Sequence, residues 1–303
     1  MKEGFLSRRQ FVAGGAALAM AGVFGALTGC TASGSGAAAG ASAAGASAGS
    51  SAASSDVLTM VWLPDNSSAD LSAAREAMGQ AITDACGREV ELLTTTDYNV
   101  AIEAIASGKA QMAYLGAEGY VQANKKNPKV LAAFTNSDEE GGLDGACYYS
   151  RISVLSENAD QYKDGDSYSI ENIKGKSFSF VSATSTSGFK VPSSAIVDQF
   201  GLESSDELLE GGAFFSEVLF GNSHQGSAVN LLSGDADAAA FDDVDVDMYL
   251  NLVSGEANSV GAVYQVKDDA EAPFDTVRGK QFTIIGITPV LNAHLRRGSH
   301  EDR

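Results

Sequence analysis

Five hydroxyl side chains fill the six positions Ser182 to Ser187, in the run SATSTS ahead of Gly188 and the stretch FKVPSSAIVDQFG. An apolar strand here hands over to a helix. The first N–H groups of a helix have no intrahelical acceptor, and they lie at the positive end of its dipole. Hydroxyls from Ser185, Thr186 and Ser187 would join those N–H groups in a cluster of neutral donors, which is chemistry for holding an anion without arginine. A plain N-cap with spare hydroxyls uses the same residues.

A second constellation is SHQGSAVNLLSGDADAAAFDD. His224 opens a helix there, and Asp242 stands at the carboxyl end of the following strand, where α/β proteins bind ligands. Tyr98 and Tyr120 sit at helix and strand ends where they could wall a cleft. Ser187 and Lys190 spell S-x-x-K, the nucleophile motif of serine acyl-enzymes, but the companion S-D-N and K-T-G motifs are missing. DDVDVD, Asp242 to Asp247, alternates acids as a calcium loop does, yet lacks that loop's central glycine and distal glutamate. Cys86 and Cys147 stand far apart and the three histidines are scattered, so no zinc spacing occurs. The two cysteines could pair in an exported protein or remain buried thiols.

The elements that must position these residues alternate. LTMVWLP reads as a buried strand. Leu71, Ala74, Met78, Ala81, Ile82 and Ala85 then follow helical spacing up to Gly87, and REVELLTT is a second strand. VAIEAIASG and EGYVQANKK read as helices, with QMAYLG and VLAAFTN as strands. A second set begins at IKGKSFSFV and includes the helices SGFKVPSSAIVDQFG and SAVNLLSG and the strand ADAAAFD. The segment Gly261 to Val266 and QFTIIGI complete it. The pattern predicts two α/β lobes joined by extended strands near Tyr148 to Val154 and Phe282 to Ile287, with a ligand cleft between them.

The remainder bounds location and partners. The first residues, MKEGFLSRRQF, with the pair Arg8 and Arg9 ahead of an apolar stretch, read as a signal peptide resembling the twin-arginine export motif. LTGC, Leu27 to Cys30, reads as a lipobox that would leave Cys30 as a lipidated N-terminus after cleavage of residues 1–29. Residues 30–55 are almost wholly Ala, Gly and Ser, the composition of a tether. A hydrophobic content of 44% suits a globular remainder, and a net charge of −19 disfavours nucleic acid and anionic lipid as partners. A tethered surface module without a small ligand is a further reading of the same acidic, anchored chain.

DYNVAIEAIASGKAQMAYLGAEGYVQA, FVSATSTSGFKVPSSAI and HQGSAVNLLSGDADAAAFDD, in that order, resemble the phosphonate- and phosphite-binding (PhnD-type) solute-binding proteins of ABC importers. The likeness runs from Asp56 to Pro289. It implies a two-lobed periplasmic-binding-protein-like (type II) fold with two strand hinges. Residues 56–148 plus 285–303 would form lobe 1 and residues 149–284 lobe 2. It also implies a monomeric, lipid-anchored binding protein on the outer face of the membrane. Such a protein is no enzyme, needs no cofactor or metal, and delivers a phosphorus oxyanion (phosphonate, phosphite or phosphate) to permease subunits.

By that resemblance Ser185, Thr186 and Ser187 hold the oxyanion, His224, Tyr98 and Tyr120 assist, and Asp242 reads the far end of the ligand, with Asp243 as second choice. Two departures stand out. Ala117, Glu118 and Gly119 replace the family's usual proline or serine, so Glu118 must point away from an anion or meet a cation. The chain ends in HLRRGSHEDR, which reads as a truncated or frame-shifted terminus of lobe 1.

Overall fold

The computed structural model describes residues 57–67, 69–138, 141–143 and 145–291. All of them belong to one compact unit, Ala53–Arg303. The expected signal segment, the lipobox at Cys30, the tether and the terminal HLRRGSHEDR lie outside the described residues. No helix among the described residues is long and apolar enough to cross a membrane.

The smaller sheet comes from the first third of the chain. Strand β1 (Leu58–Trp62) buries Met60, Val61 and Trp62. Helix α1 (Ala69–Cys86) returns to β2 (Val90–Thr94), stopping where Gly87 takes the left-handed φ of 68°. Helix α2 (Tyr98–Ala106) is capped by Asp97, whose side chain accepts from the Asn99 N–H at 2.7 Å. It leads to β3 (Met112–Ala113) and α3 (Ala117–Lys126). The three strands are parallel, in the order β2-β1-β3.

The larger sheet holds β4 (Cys147–Leu155), β7 (Ser177–Phe180), β8 (Glu217–Phe220), β9 (Ala238–Asp242), β10 (Leu250–Ser254), β11 (Val263–Val266) and β12 (Gln281–Leu291). A two-residue hairpin, β5 (Lys163–Asp164) with β6 (Ser167–Tyr168), stands apart from it. The strand order is β10-β11-β12-β4-β9-β7-β8. Helices α4 (Val191–Phe200) and α5 (His224–Ser233) complete the set. Two cores flank this sheet, one around Phe178, Phe180, Phe189, Phe215 and Ile196, the other around Phe241, Tyr264, Phe274 and Phe282. Each fully buried phenylalanine contributes about 1.5–3 kcal/mol of transfer free energy, so these clusters fix where the strand ends lie.

The expected linking strands pair with each other. Strands β4 and β12 run antiparallel from Cys147 opposite Leu291 to Leu155 opposite Phe282. Two local expectations change. VLAAFTN is not a strand: residues 130–136 run irregularly, because β3 offers only two residues and its single strand neighbour is β1. Leu131 and Phe134 accordingly stand 76% and 57% exposed. The SGFKVPSSAIVDQFG helix opens instead with a π-type turn, Thr186–Lys190, before α4. Strands β8 and β10 are additions to the expected set. Cys86 and Cys147 are both free thiols.

Candidate functional site

Strand β7 delivers the hydroxyl run into the space between the two sheets. Gly188 packs against the strand's end, where a Cβ would overlap the Val181 side chain. Phe189 is buried, edge-on to Phe180 at 4.9 Å. These contacts pin the turn. Ser185 is its N-cap, accepting the Gly188 N–H at 3.1 Å and keeping its own proton to donate. The N–H groups of Thr186 and Ser187 fall at the start of the turn, where no intrahelical acceptor exists.

Helix α5 brings the second donor. Ser223 caps it through the Gly226 N–H at 2.9 Å, and His224 is 2% exposed. The Asp242 N–H donates to His224 Nδ1 at 3.0 Å. That bond sets the tautomer: Nδ1 accepts, so Nε2 carries the proton. Nε2 lies 3.5 Å from both Ser185 Oγ and Ser187 Oγ and 3.3 Å from Asp242 Oδ2. Ser185, Ser187 and His224 therefore converge on one point, as the sequence suggested.

Three carboxylates share the space. Asp242 is engaged on both oxygens: Ser187 Oγ donates to Oδ2 at 3.1 Å and the Asp245 N–H to Oδ1 at 3.0 Å. Burial raises its pKa, with His224 pulling the other way. Asp245 lines the same cavity, and its side chain accepts no hydrogen bond from the described residues. Burial, then the neighbouring Asp242, Asp65 and Asp243, hold its carboxyl well above the usual range. Asp65 is 2% exposed; Oδ1 accepts the His224 N–H at 2.5 Å and Oδ2 accepts the Tyr98 hydroxyl. Burial, followed by Asp65, pushes the Tyr98 phenol well up, so Tyr98 stays a donor.

Asp65, His224 and Asp245 bring potential ligand atoms within 4.8 Å of one another. With the proton on Nε2 and Nδ1 occupied, His224 offers no free lone pair, which leaves a cation only two carboxylates. Asp243 faces away from the cavity: it accepts the Tyr149 N–H at 2.8 Å and Asn258 Nδ2 at 3.0 Å.

The smaller sheet closes over the donors. The Glu118 N–H at the start of α3 donates to Thr186 Oγ1 at 2.9 Å. The Glu118 carboxylate accepts from Gln122 and lies 3.9 Å from Lys190 Nζ, so it does meet a cation. This also disposes of the S-x-x-K arrangement: Lys190 faces Glu118, and Ser187 gives its proton to Asp242. Tyr98, Tyr120, Tyr114 and Tyr148 line a cavity of about 840 Å³, with the Ser185–Ser187 turn, His224 and the acids. Among its described lining residues Lys129 is the one lysine or arginine. Met112 and Ala113 of β3, residues 129–137, Val290 and Leu291 also line the cavity.

Sequence reasoning missed Asp65, Asp245 and Tyr148. Asp65 lies three residues past the carboxyl end of β1, close to the strand-end position that singled out Asp242, the last residue of β9.

Residues 60–295 match the family described as ABC transporter, phosphonate, periplasmic substrate-binding protein. The chain belongs to this family. It is 27% identical over 188 residues to the phosphate-import protein PhnD of Mycolicibacterium smegmatis, covering 62% of this chain and 56% of that relative. It thus spans little more than half the length of the relative. The fold is that of a binding protein component of an ABC phosphonate transporter from Pseudomonas aeruginosa, with TM-score 0.55, 16% identity, and coverage of 78% of this chain and 66% of that one. PhnD1 from Prochlorococcus marinus, solved with methylphosphonate, aligns with TM-score 0.54 at 19% identity over 78% and 74% of the two chains. The family is one of substrate-binding proteins, and the two-lobed type II binding-protein fold is the one shared with these solved structures.

Proposed function

We propose that this protein captures a small phosphorus oxyanion (phosphonate, phosphite or phosphate) in the cleft between its lobes and hands it to an ABC permease from a lipid anchor at Cys30. The observation that carries the reading is the start of the helical turn, where Ser185 Oγ accepts the Gly188 N–H and keeps its own proton, 3.5 Å from His224 Nε2, beside the Thr186 and Ser187 N–H groups that have no intrahelical acceptor. Neutral donors hold an anion by charge-assisted hydrogen bonds, each roughly twice as strong as a neutral one. The Thr186 hydroxyl, its N–H and that of Ser187 add to the same cradle. Tyr98, Tyr120 and Lys129 line the same cavity.

The far end of the ligand falls to Asp245 in this reading, and not to Asp242. Asp242 spends its oxygens on Ser187, His224 and the Asp245 N–H, whereas the Asp245 side chain has no described partner. A raised carboxyl of this kind accommodates an anion by keeping a proton for a P–O⁻ oxygen, or by pairing with an amine on the ligand. Calorimetric titration with phosphite, phosphate, methylphosphonate and aminoethylphosphonate, with sulfate as control, tests the reading. Saturable binding of at least one phosphorus compound in preference to sulfate is expected. Binding of none of them would overturn it.

A further inference from the structure

The two lobes exchange helix caps. Helix α3 has Gly116 at its N-cap position with no side-chain cap of its own, and the missing acceptor is supplied from the other lobe by Thr186 Oγ1, 2.9 Å from the Glu118 N–H. In return Asp65, from the smaller sheet's lobe, accepts the first N–H of α5 at His224. The Asp65 carbonyl also accepts from Gln225 Nε2 at 3.1 Å. Gly116 has φ −68° and ψ 169°, a conformation open to any residue, so its backbone does not require glycine. Space does: a Cβ there would stand 2.8 Å from Thr186 Oγ1.

We infer that Gly116 is a positioning residue for ligand binding: it admits the Thr186 hydroxyl onto the α3 N-terminus, and this contact makes lobe closure and oxyanion binding one cooperative event. Thr186 has one proton. By accepting from Glu118 N–H its oxygen leaves that proton free to point into the cleft, and the α3 N–H polarises the hydroxyl as a donor. The α3 dipole thus acts on the oxyanion through Thr186, without touching it. The Lys190–Glu118 pair at 3.9 Å holds the same junction from outside. This inference rests on the oxyanion reading of the cleft, and its test has an arm that needs no ligand.

The experiment is a double-mutant cycle on the full chain with Gly116→Ala and Thr186→Ala, read in two ways. Amide hydrogen exchange of the peptide spanning 116–126 without added ligand reports the cap directly. Gly116→Ala and Thr186→Ala should each deprotect the Glu118 amide, and the double variant should be no more deprotected than Thr186→Ala. Calorimetry with whichever of phosphite, phosphate or methylphosphonate the wild type binds reports the coupling. Gly116→Ala alone should weaken binding by about tenfold, the worth of one hydrogen bond, and should cost nothing further in the Thr186→Ala background. Additive losses, or unchanged Glu118 protection in Gly116→Ala, would overturn the inference. If the wild type binds no phosphorus oxyanion but the exchange cycle behaves as stated, the oxyanion reading fails and the cap exchange stands as a contact between lobes. If Gly116→Ala binds normally while Thr186→Ala does not, the oxyanion reading survives and the inference falls.

Discussion

The Asp65 carboxylate lies 2.5 Å from the His224 N–H, joining the lobe of the smaller sheet to the first turn of α5 in the larger one. It answers the backbone donor that opens the helix, and it takes the proton of Tyr98 as well. Removing it leaves a buried N–H and a buried phenol unpaired.

Asp65→Ala is therefore expected to lower stability by about 1–3 kcal/mol, the penalty for unsatisfied buried donors, with Asp65→Asn losing less because its amide oxygen still accepts. Urea denaturation measures this. Equal midpoints for wild type and Asp65→Ala would contradict the capping role.

The Asp245 carboxyl is expected to govern pH dependence. Its folded-state pKa lies above that of the unfolded chain. Its linked contribution is fully present below the unfolded carboxylate value and is lost as pH rises through the raised folded value. Asp245→Asn has no such loss. It should raise the thermal midpoint at pH 8 by about 2–4 °C, for roughly 1 kcal/mol in a chain of this size, and bring no gain near pH 4. The same proton serves the ligand, so oxyanion affinity should fall with rising pH more steeply in wild type than in Asp245→Asn. Asp65, Asp242, Asp243, Tyr98, Tyr148 and His224 surround the site in both proteins, so the difference between them isolates Asp245. Parallel pH profiles would remove this role.

The placement of the candidate site residues was legible in the sequence because they stand where strands end. Ser185 to Ser187 follow β7, His224 opens α5 and Asp242 closes β9, and in an α/β fold those places face the cleft. Asp245 escaped because DDVDVD was weighed as a calcium loop and set aside for lacking that loop's glycine and glutamate. Val246 is buried, while Val244 is 60% exposed and Asp245 turns into the cavity. VLAAFTN misled for a different reason. Apolar β-branched and aromatic content makes a strand only where a partner edge exists, and β3 offers two residues. The contact of Gly116 with Thr186 was beyond sequence reading altogether, since it joins positions 70 residues apart through a missing Cβ.

The anchor is tested at the cysteine of LTGC. A Cys30→Ser variant, expressed in a bacterium that processes lipoproteins, should move from the membrane fraction to the medium or periplasm. Retention equal to wild type would count against lipidation there.

The central claim is that neutral donors from one turn, and not a salt bridge, hold the anion. Calorimetric titration of wild type, Ser185→Ala and Thr186→Val with phosphite, methylphosphonate and phosphate tests it most directly. Each variant should lose about 1–3 kcal/mol of binding free energy for the best-bound compound, as expected when a charged acceptor loses a buried hydroxyl donor. Lys129→Ala should lose less than either. Wild-type affinity in both hydroxyl variants, or a larger loss in Lys129→Ala, would contradict the account.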